Sequence, residues 1–165
     1  MVKHLYIHVP FCHRICPYCS FYKHTFGDIN QSELVESLLK ELSHRKNQYE
    51  FAIETIYLGG GTPSALSYKN LERLLSAIGD IVKIEDLIEW GIEVNPSTFD
   101  YKKASMIKNQ GVSRVSLGIQ SWNQSTLKTL GRDHSPCDAK ESFEILKSCQ
   151  FNSLNIDLML SLIHI

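Results

Sequence analysis

Strand-type and helix-type segments alternate along this chain, and that alternation admits few folds. Residues 4–9, 54–58, 87–94, 112–119 and 153–160 read as strands. Between them lie helical patterns. Residues 32–47 carry Leu34, Val35, Leu38, Leu39 and Leu42 on one face, with Ser32 as the expected N-cap. Ser67 is placed to cap a second helix bearing Leu71, Leu74, Leu75 and Ile78. Helices are expected at 100–110, 123–130 and 137–149. Strands separated by helices pair in parallel through crossovers, so the pattern predicts βαβ units and an α/β fold.

At 165 residues and 43% hydrophobic content the chain supplies one core and not two. A net charge of −1, without a long basic tract, argues against nucleic acid as a partner. No apolar run is long enough to span a membrane, and the first residues lack the zones of a signal peptide. Five cysteines, three of them clustered, make a disulfide framework a poor fit and a cytoplasmic, reducing setting the expectation. The last strand is followed only by Ser161-Leu-Ile-His-Ile165, with no covering helix. An edge strand bare on one side is an association risk, and the chain reads as cut short.

In a parallel βα array, chemistry gathers where strands end. The first strand runs into Cys12-His-Arg-Ile-Cys16-Pro-Tyr-Cys19, a C-x3-C-x2-C loop. Thiolates are soft ligands that suit iron–sulfur clusters and zinc. Three of them leave one iron of a [4Fe–4S] cluster open to a cofactor or substrate. The competing reading is a Cys3His zinc site completed by His8, His13 or His24. The second strand ends in Gly59-Gly60-Gly61-Thr62-Pro63. Such glycines let a backbone approach a ligand and expose its N–H groups, or merely form a tight turn. No lysine follows, so a carboxylate or amino-acid moiety suits this loop better than a triphosphate.

Further groups end the remaining strands. Glu93, beside Asn95-Pro96, is placed to accept from an ammonium group or ribose hydroxyls. Gln120 ends the fourth strand. Asp157 lies within the fifth, where burial would demand a partner. Arg132 in Gly131-Arg-Asp-His134 is suited to pairing with a carboxylate. Cys137 and Cys149 read as ordinary small apolar residues, and Trp90 and Trp122 as packing.

Taken together, these residues resemble the radical S-adenosylmethionine superfamily. More narrowly they resemble the oxygen-independent coproporphyrinogen III oxidase family. The matching stretches are Tyr6-Ile-His-Val-Pro-Phe-Cys12, Tyr57-Leu-Gly-Gly-Gly-Thr-Pro63 and Glu93-Val-Asn-Pro96. They continue with Val115-Ser-Leu-Gly-Ile-Gln-Ser-Trp122, Leu130-Gly-Arg-Asp-His134 and Asn155-Ile-Asp-Leu-Met159. The resemblance implies a partial (β/α)6 barrel truncated after about the fifth strand. It implies a [4Fe–4S] cluster on Cys12, Cys16 and Cys19, whose fourth iron chelates S-adenosyl-L-methionine. Tyr6 and Tyr18, then Gly60, Gly61 and Thr62, fall where the family contacts that cofactor. So do Glu93, Gln120, Arg132 and Asp157. In the family, the reduced cluster cleaves the cofactor to methionine and a 5′-deoxyadenosyl radical, and the protein positions and shields that chemistry.

The coproporphyrinogen dehydrogenases of this family carry another cysteine two positions past the third ligand. Here that position is Phe21. This departure resembles the HemW-like branch, regarded as haem chaperones that deliver haem to respiratory proteins. The resemblance implies haem as cargo, an electron-donor protein and haem-recipient respiratory proteins as partners. Porphyrin oxidation is the second reading, and a zinc module or inactive fragment the third. Residues 1–162 read as the N-terminal part of the radical domain and 163–165 as an aberrant tail, with the family's C-terminal domain absent. No catalytic residue is assigned.

Overall fold

A computed structural model describes residues 1–25, 27 and 30–161. The tail expected at 163–165 lies outside the described residues. Seven strands and five helices follow in order: β1 Val2–Val9, β2 Phe11–Cys12, β3 His24–Thr25, α1 Gln31–Gln48, β4 Phe51–Gly60 and α2 Tyr68–Ile81. Then come β5 Glu89–Val94, α3 Tyr101–Asn109, β6 Arg114–Gln120, α4 Gln124–Thr129, α5 Pro136–Ser148 and β7 Ser153–Leu158. Single 3-10 turns occupy Pro63–Ala65 and Ile84–Asp86.

The main sheet has the order β1-β4-β5-β6-β7, and every pair in it is parallel. The five strands read from the sequence are these five. Along each, side chains alternate between two unlike faces. One face presents Ile7, Val9, Ile56, Leu58, Ile92, Leu117 and Ile119, all buried. Val35 and Leu42 of α1, Leu71 to Ile78 of α2, Ile107 of α3 and Leu146 of α5 join them in one core. Full burial of each such side chain is worth about 1.5–3 kcal/mol. A one-residue slip of any strand would exchange that face for the other, so the register is firmly held.

The opposite face is polar. His4 Nδ1 lies 2.9 Å from Thr55 Oγ1, the Tyr6 ring stacks on Tyr57 at 6.4 Å, and Arg114 pairs with Glu89 at 3.2 Å. Among the described residues, the helices pack on the apolar face. β7 forms one edge of the sheet, where Leu158 at its end and Leu160 beyond it are exposed, as the uncovered last strand predicts.

Local signals mostly hold. Ser67 caps α2, its side chain accepting from Asn70 N. The α1 cap is not Ser32 but Asn30, whose side chain accepts the Ser32 N–H. Asparagine two residues earlier competes for the same orphan donors and begins the helix sooner. Trp90 is buried core, whereas Trp122 is only half covered, at 48% exposure. Asp157 is also exposed, because it faces the open side of an edge strand.

Candidate functional site

The cysteine loop is anchored at both ends. β2 pairs with β3 at its base, and His24 N donates to the Pro10 carbonyl at 2.7 Å. Cys16 to Cys19 close a turn, Cys19 N donating to the Cys16 carbonyl at 3.1 Å. Pro17 takes the second position, where its fixed φ suits such turns. Lys23 donates to the carbonyls of Cys19 and Phe21 from the far side. Cys16 is buried, while Cys12 and Cys19 are partly open.

These thiols face a cavity of about 180 Å³ at the carboxyl ends of the strands. Its walls include Cys12, Cys16 and Cys19, Tyr18, Gly60, Gly61, Thr62, Glu93, Gln120, Arg132 and Asp157. Every residue anticipated for the site is thus brought to one place except Tyr6. Tyr6 stands one layer below, its hydroxyl 3.1 Å from His8 Nδ1. It reaches the cavity wall indirectly, through its stack on Tyr57, whose hydroxyl donates to Glu93 Oε1 at 3.1 Å. A larger hollow at the opposite end of the strands is lined by Lys46, Glu54, Asp80 and the Ile84–Asp86 turn. It holds no cysteine and none of the anticipated groups.

The glycine loop departs from expectation in one respect. Its N–H groups are spent within the protein: Gly60 N donates to Glu93 Oε2, Gly61 N to the Val9 carbonyl and Thr62 N to the Phe11 carbonyl. The glycines are needed for a close backbone approach instead. A Cβ on Gly60, whose φ is +107°, would sit 2.3 Å from the His8 ring, and one on Gly61 would sit 2.6 Å from the Phe11 carbonyl oxygen. The tight-turn reading accounts for the donors, and Gly60 and Gly61 still floor the cavity.

Charge in the site follows burial. Burial raises the Glu93 carboxyl above the ordinary range, opposed by the Tyr57 hydroxyl and the Gly60 N–H. Partial desolvation at the cavity wall likewise raises the otherwise exposed Asp157, with Arg114 opposing. Tyr18 is pushed up to about 12 by burial, against the pull of the Arg132 guanidinium. Gln120 adopts φ +68°, a left-handed conformation uncommon for a side-chain-bearing residue and frequent at functional sites. It breaks the β6–β7 register there.

The sequence names Asn95 and Tyr57 only within motifs, with no role of their own, and gives no notice of Lys103. Asn95 donates to Thr62 Oγ1 and accepts from Arg132. Tyr57 lies two residues before Gly59, on the same face of its strand, which is the signal that marks it. Lys103 sits on the helix face shared with Ala104 and Ile107, where a charge is anomalous.

Comparison with known proteins fits this arrangement. The family description "Radical SAM superfamily" matches residues 6–163. The chain belongs to this superfamily. Among curated relatives it is 39% identical over 160 residues to the heme chaperone HemW of Lactococcus lactis, covering 95% of this chain and 41% of that one. It is 36% identical over 161 residues to the heme chaperone HemW of Haemophilus influenzae, covering 94% and 42%. Its fold is similar to that of Escherichia coli coproporphyrinogen III oxidase (HemN), described as a radical SAM enzyme, with a TM-score of 0.83 at 26% identity. That match covers 94% of this chain and 37% of the enzyme. The chain spans about two fifths of the length of the curated relatives it matches. The parallel sheet therefore corresponds to part of the radical SAM barrel, as the resemblance implied.

Proposed function

We propose that this chain binds a [4Fe–4S] cluster through Cys12, Cys16 and Cys19, and S-adenosyl-L-methionine in the adjoining cavity, within a haem chaperone of HemW type. The observation that supports it most is the convergence of three thiols and the polar ends of four strands on one cavity. The residues fit such a group. Arg132 keeps a buried Nε without a partner at the cavity wall, a donor waiting for an acceptor. Thiolates arrayed around a cavity suit a multinuclear cluster better than one zinc.

The cluster, when bound, supplies a reducing electron to the sulfonium of the cofactor. This chain's own residues bind and orient. Arg132 and Gln120 offer donors suited to a carboxylate or ribose, while Glu93 and Asp157 offer acceptors suited to an ammonium group and hydroxyls. Tyr18 and Thr62 line the cavity beside the thiols. Haem as cargo is favoured over coproporphyrinogen as substrate by Phe21, which lines the cavity where the oxidases resemble one another in carrying a cysteine. The oxidase reading draws on the fold similarity to the coproporphyrinogen oxidase. Cytoplasmic location accords with the cysteine usage, and among the described residues no helix is long and apolar enough to cross a membrane.

Iron, zinc and sulfide analysis of anaerobically reconstituted protein, with electron paramagnetic resonance, tests the cluster. Iron and sulfide in equal amounts, with a reduced signal that shifts on adding S-adenosyl-L-methionine, is the expected result. Replacing Cys12, Cys16 or Cys19 by Ala abolishes it, whereas Cys137→Ala and Cys149→Ala leave it intact. Zinc without sulfide would overturn the reading. Absorbance titration with haem, beside an anaerobic coproporphyrinogen assay, separates chaperone from oxidase.

A further inference from the structure

Asn95, immediately after β5, lies between two donors that point at sulfur. Arg132 Nη2 donates to Asn95 Oδ1 at 2.8 Å and to the Gly118 carbonyl at 2.7 Å. A guanidinium accepts nothing, so the amide oxygen must face Arg132. The amide nitrogen then faces Thr62 and donates to its Oγ1 at 2.7 Å. A threonine hydroxyl has a single proton. With its oxygen accepting from Asn95, that proton is directed at Cys12 Sγ, 3.7 Å away. On the other side, Arg132 Nη1 donates to Cys16 Sγ at 3.6 Å. One amide thus orders the donors to two thiols.

The surroundings reserve this place for it. A Cβ on Gly118 would lie 2.5 Å from Asn95 Oδ1, although the backbone there is not in the positive-φ region. Glycine is required at 118 by the amide and not by the strand. Gly131, with φ +68°, packs so tightly on Pro17 that a Cβ would meet its ring at 2.7 Å, which brings Arg132 against the cysteine loop. Asn95 N also donates to Ser64 Oγ at 3.3 Å, and Ser64 Oγ lies 2.5 Å from Thr98 Oγ1.

We infer that Asn95 is a positioning residue that sets the reduction potential of the cluster, by directing the Thr62 hydroxyl and the Arg132 guanidinium onto the sulfurs of Cys12 and Cys16. The inference rests on the cluster reading above. Hydrogen bonds to cluster sulfur stabilise the added negative charge of the reduced state, so they raise its potential.

Asn95→Asp tests this with almost no change in shape. The carboxylate still accepts from Arg132, but it also takes the Thr62 proton, and Cys12 loses its donor. Thr62→Val removes that donor directly, and Gly118→Ala displaces the amide without adding charge. Each variant and the double variant Asn95→Asp/Thr62→Val would be reconstituted anaerobically. Iron and sulfide would be measured, and the one-electron couple titrated with dithionite under electron paramagnetic resonance. Full metal content with a more negative midpoint in all three single variants is expected. The double variant should shift by less than the two single shifts added, since both act through one hydroxyl proton. An unchanged midpoint in Asn95→Asp, or fully additive shifts, overturns the inference and leaves the cluster standing. A wild-type chain that takes up no iron and sulfide overturns the cluster reading and this inference with it, and the metal analysis tells the two failures apart. Should Gly118→Ala fail to fold, Asn95→Asp and Thr62→Val carry the comparison alone.

Discussion

Lys103 Nζ donates to the Ser64 carbonyl at 2.5 Å, tying α3 to the turn that follows β4. The same ammonium donates to the Leu66 carbonyl at 2.6 Å and the Thr98 carbonyl at 3.0 Å. One buried charge therefore holds the glycine-loop exit against the Asn95-Pro96 corner. Lys103→Met leaves three carbonyls without a donor, each worth about 1–3 kcal/mol when buried unpaired. Partial relaxation and water entry reduce the sum, so a loss of about 3 kcal/mol is expected in urea unfolding.

The same pair of proteins gives a pH test. Burial pulls the Lys103 ammonium from its ordinary 10.5 down to about 8, with Asp100 opposing. Between those values the native chain holds fewer protons than the unfolded chain, so stability rises with pH. Wild type should gain on Lys103→Met as pH rises from about 8 to 10.5, and a difference flat across that window would refute the assignment.

Glu93 behaves with the opposite sign. Its carboxyl is raised by burial, so its contribution to stability is full below the ordinary 4.5 and fades as pH climbs through the raised value. Gln at this position carries no charge to bury, although its amide meets the Gly60 N–H less well. Its absolute stability is not the readout. Glu93→Gln should improve relative to wild type as pH rises above about 4.5 in paired urea titrations.

Gly60→Ala combines a left-handed φ with a clash against the His8 ring. His8 Nε2 lies 2.9 Å from the Tyr22 carbonyl, so its displacement also loosens the segment leaving the cysteine loop. Destabilisation of about 2 kcal/mol or more is expected, with reduced iron uptake on reconstitution. Unfolding curves that superimpose on wild type would show the glycine to be dispensable.

Leu158 is 47% exposed on the outermost strand. Leu158→Lys puts a charge on an edge that otherwise invites strand addition. Lower light scattering at high protein concentration is expected, with unfolding stability within about 0.5 kcal/mol of wild type.

The five strands of the main sheet and the gathering of the cysteine loop, Gly60, Glu93, Gln120 and Asp157 at their carboxyl ends are legible because they depend on periodicity and on groups fixed by chain position. Ser67 was readable as a cap since an apolar pattern begins directly after it. Ser32 misled because Asn30, two residues earlier, serves the same orphan N–H groups. The donors of Gly60, Gly61 and Thr62 were misjudged because their acceptors, Glu93, Val9 and Phe11, are distant in sequence. Asp157 was read as buried on the character of its neighbours Ile156 and Leu158, which an edge strand leaves partly bare. Lys103 shows the same limit, since its three carbonyl partners belong to two other loops.

The polar side of the sheet, from His4 to Asp157, gives this domain an unusual relation to water. Most parallel sheets hide both faces under helices. Here one face carries polar groups such as His4, Thr55, Tyr57 and Glu93 and forms a trough compatible with hydration, while the apolar side holds the strands together. A molecule entering the trough must exchange hydrogen bonds with water rather than simply escape it. Recognition along such a channel is therefore governed by the match of donors and acceptors, and a greasy ligand would find footing only at the aromatic rungs of Tyr6 and Tyr57.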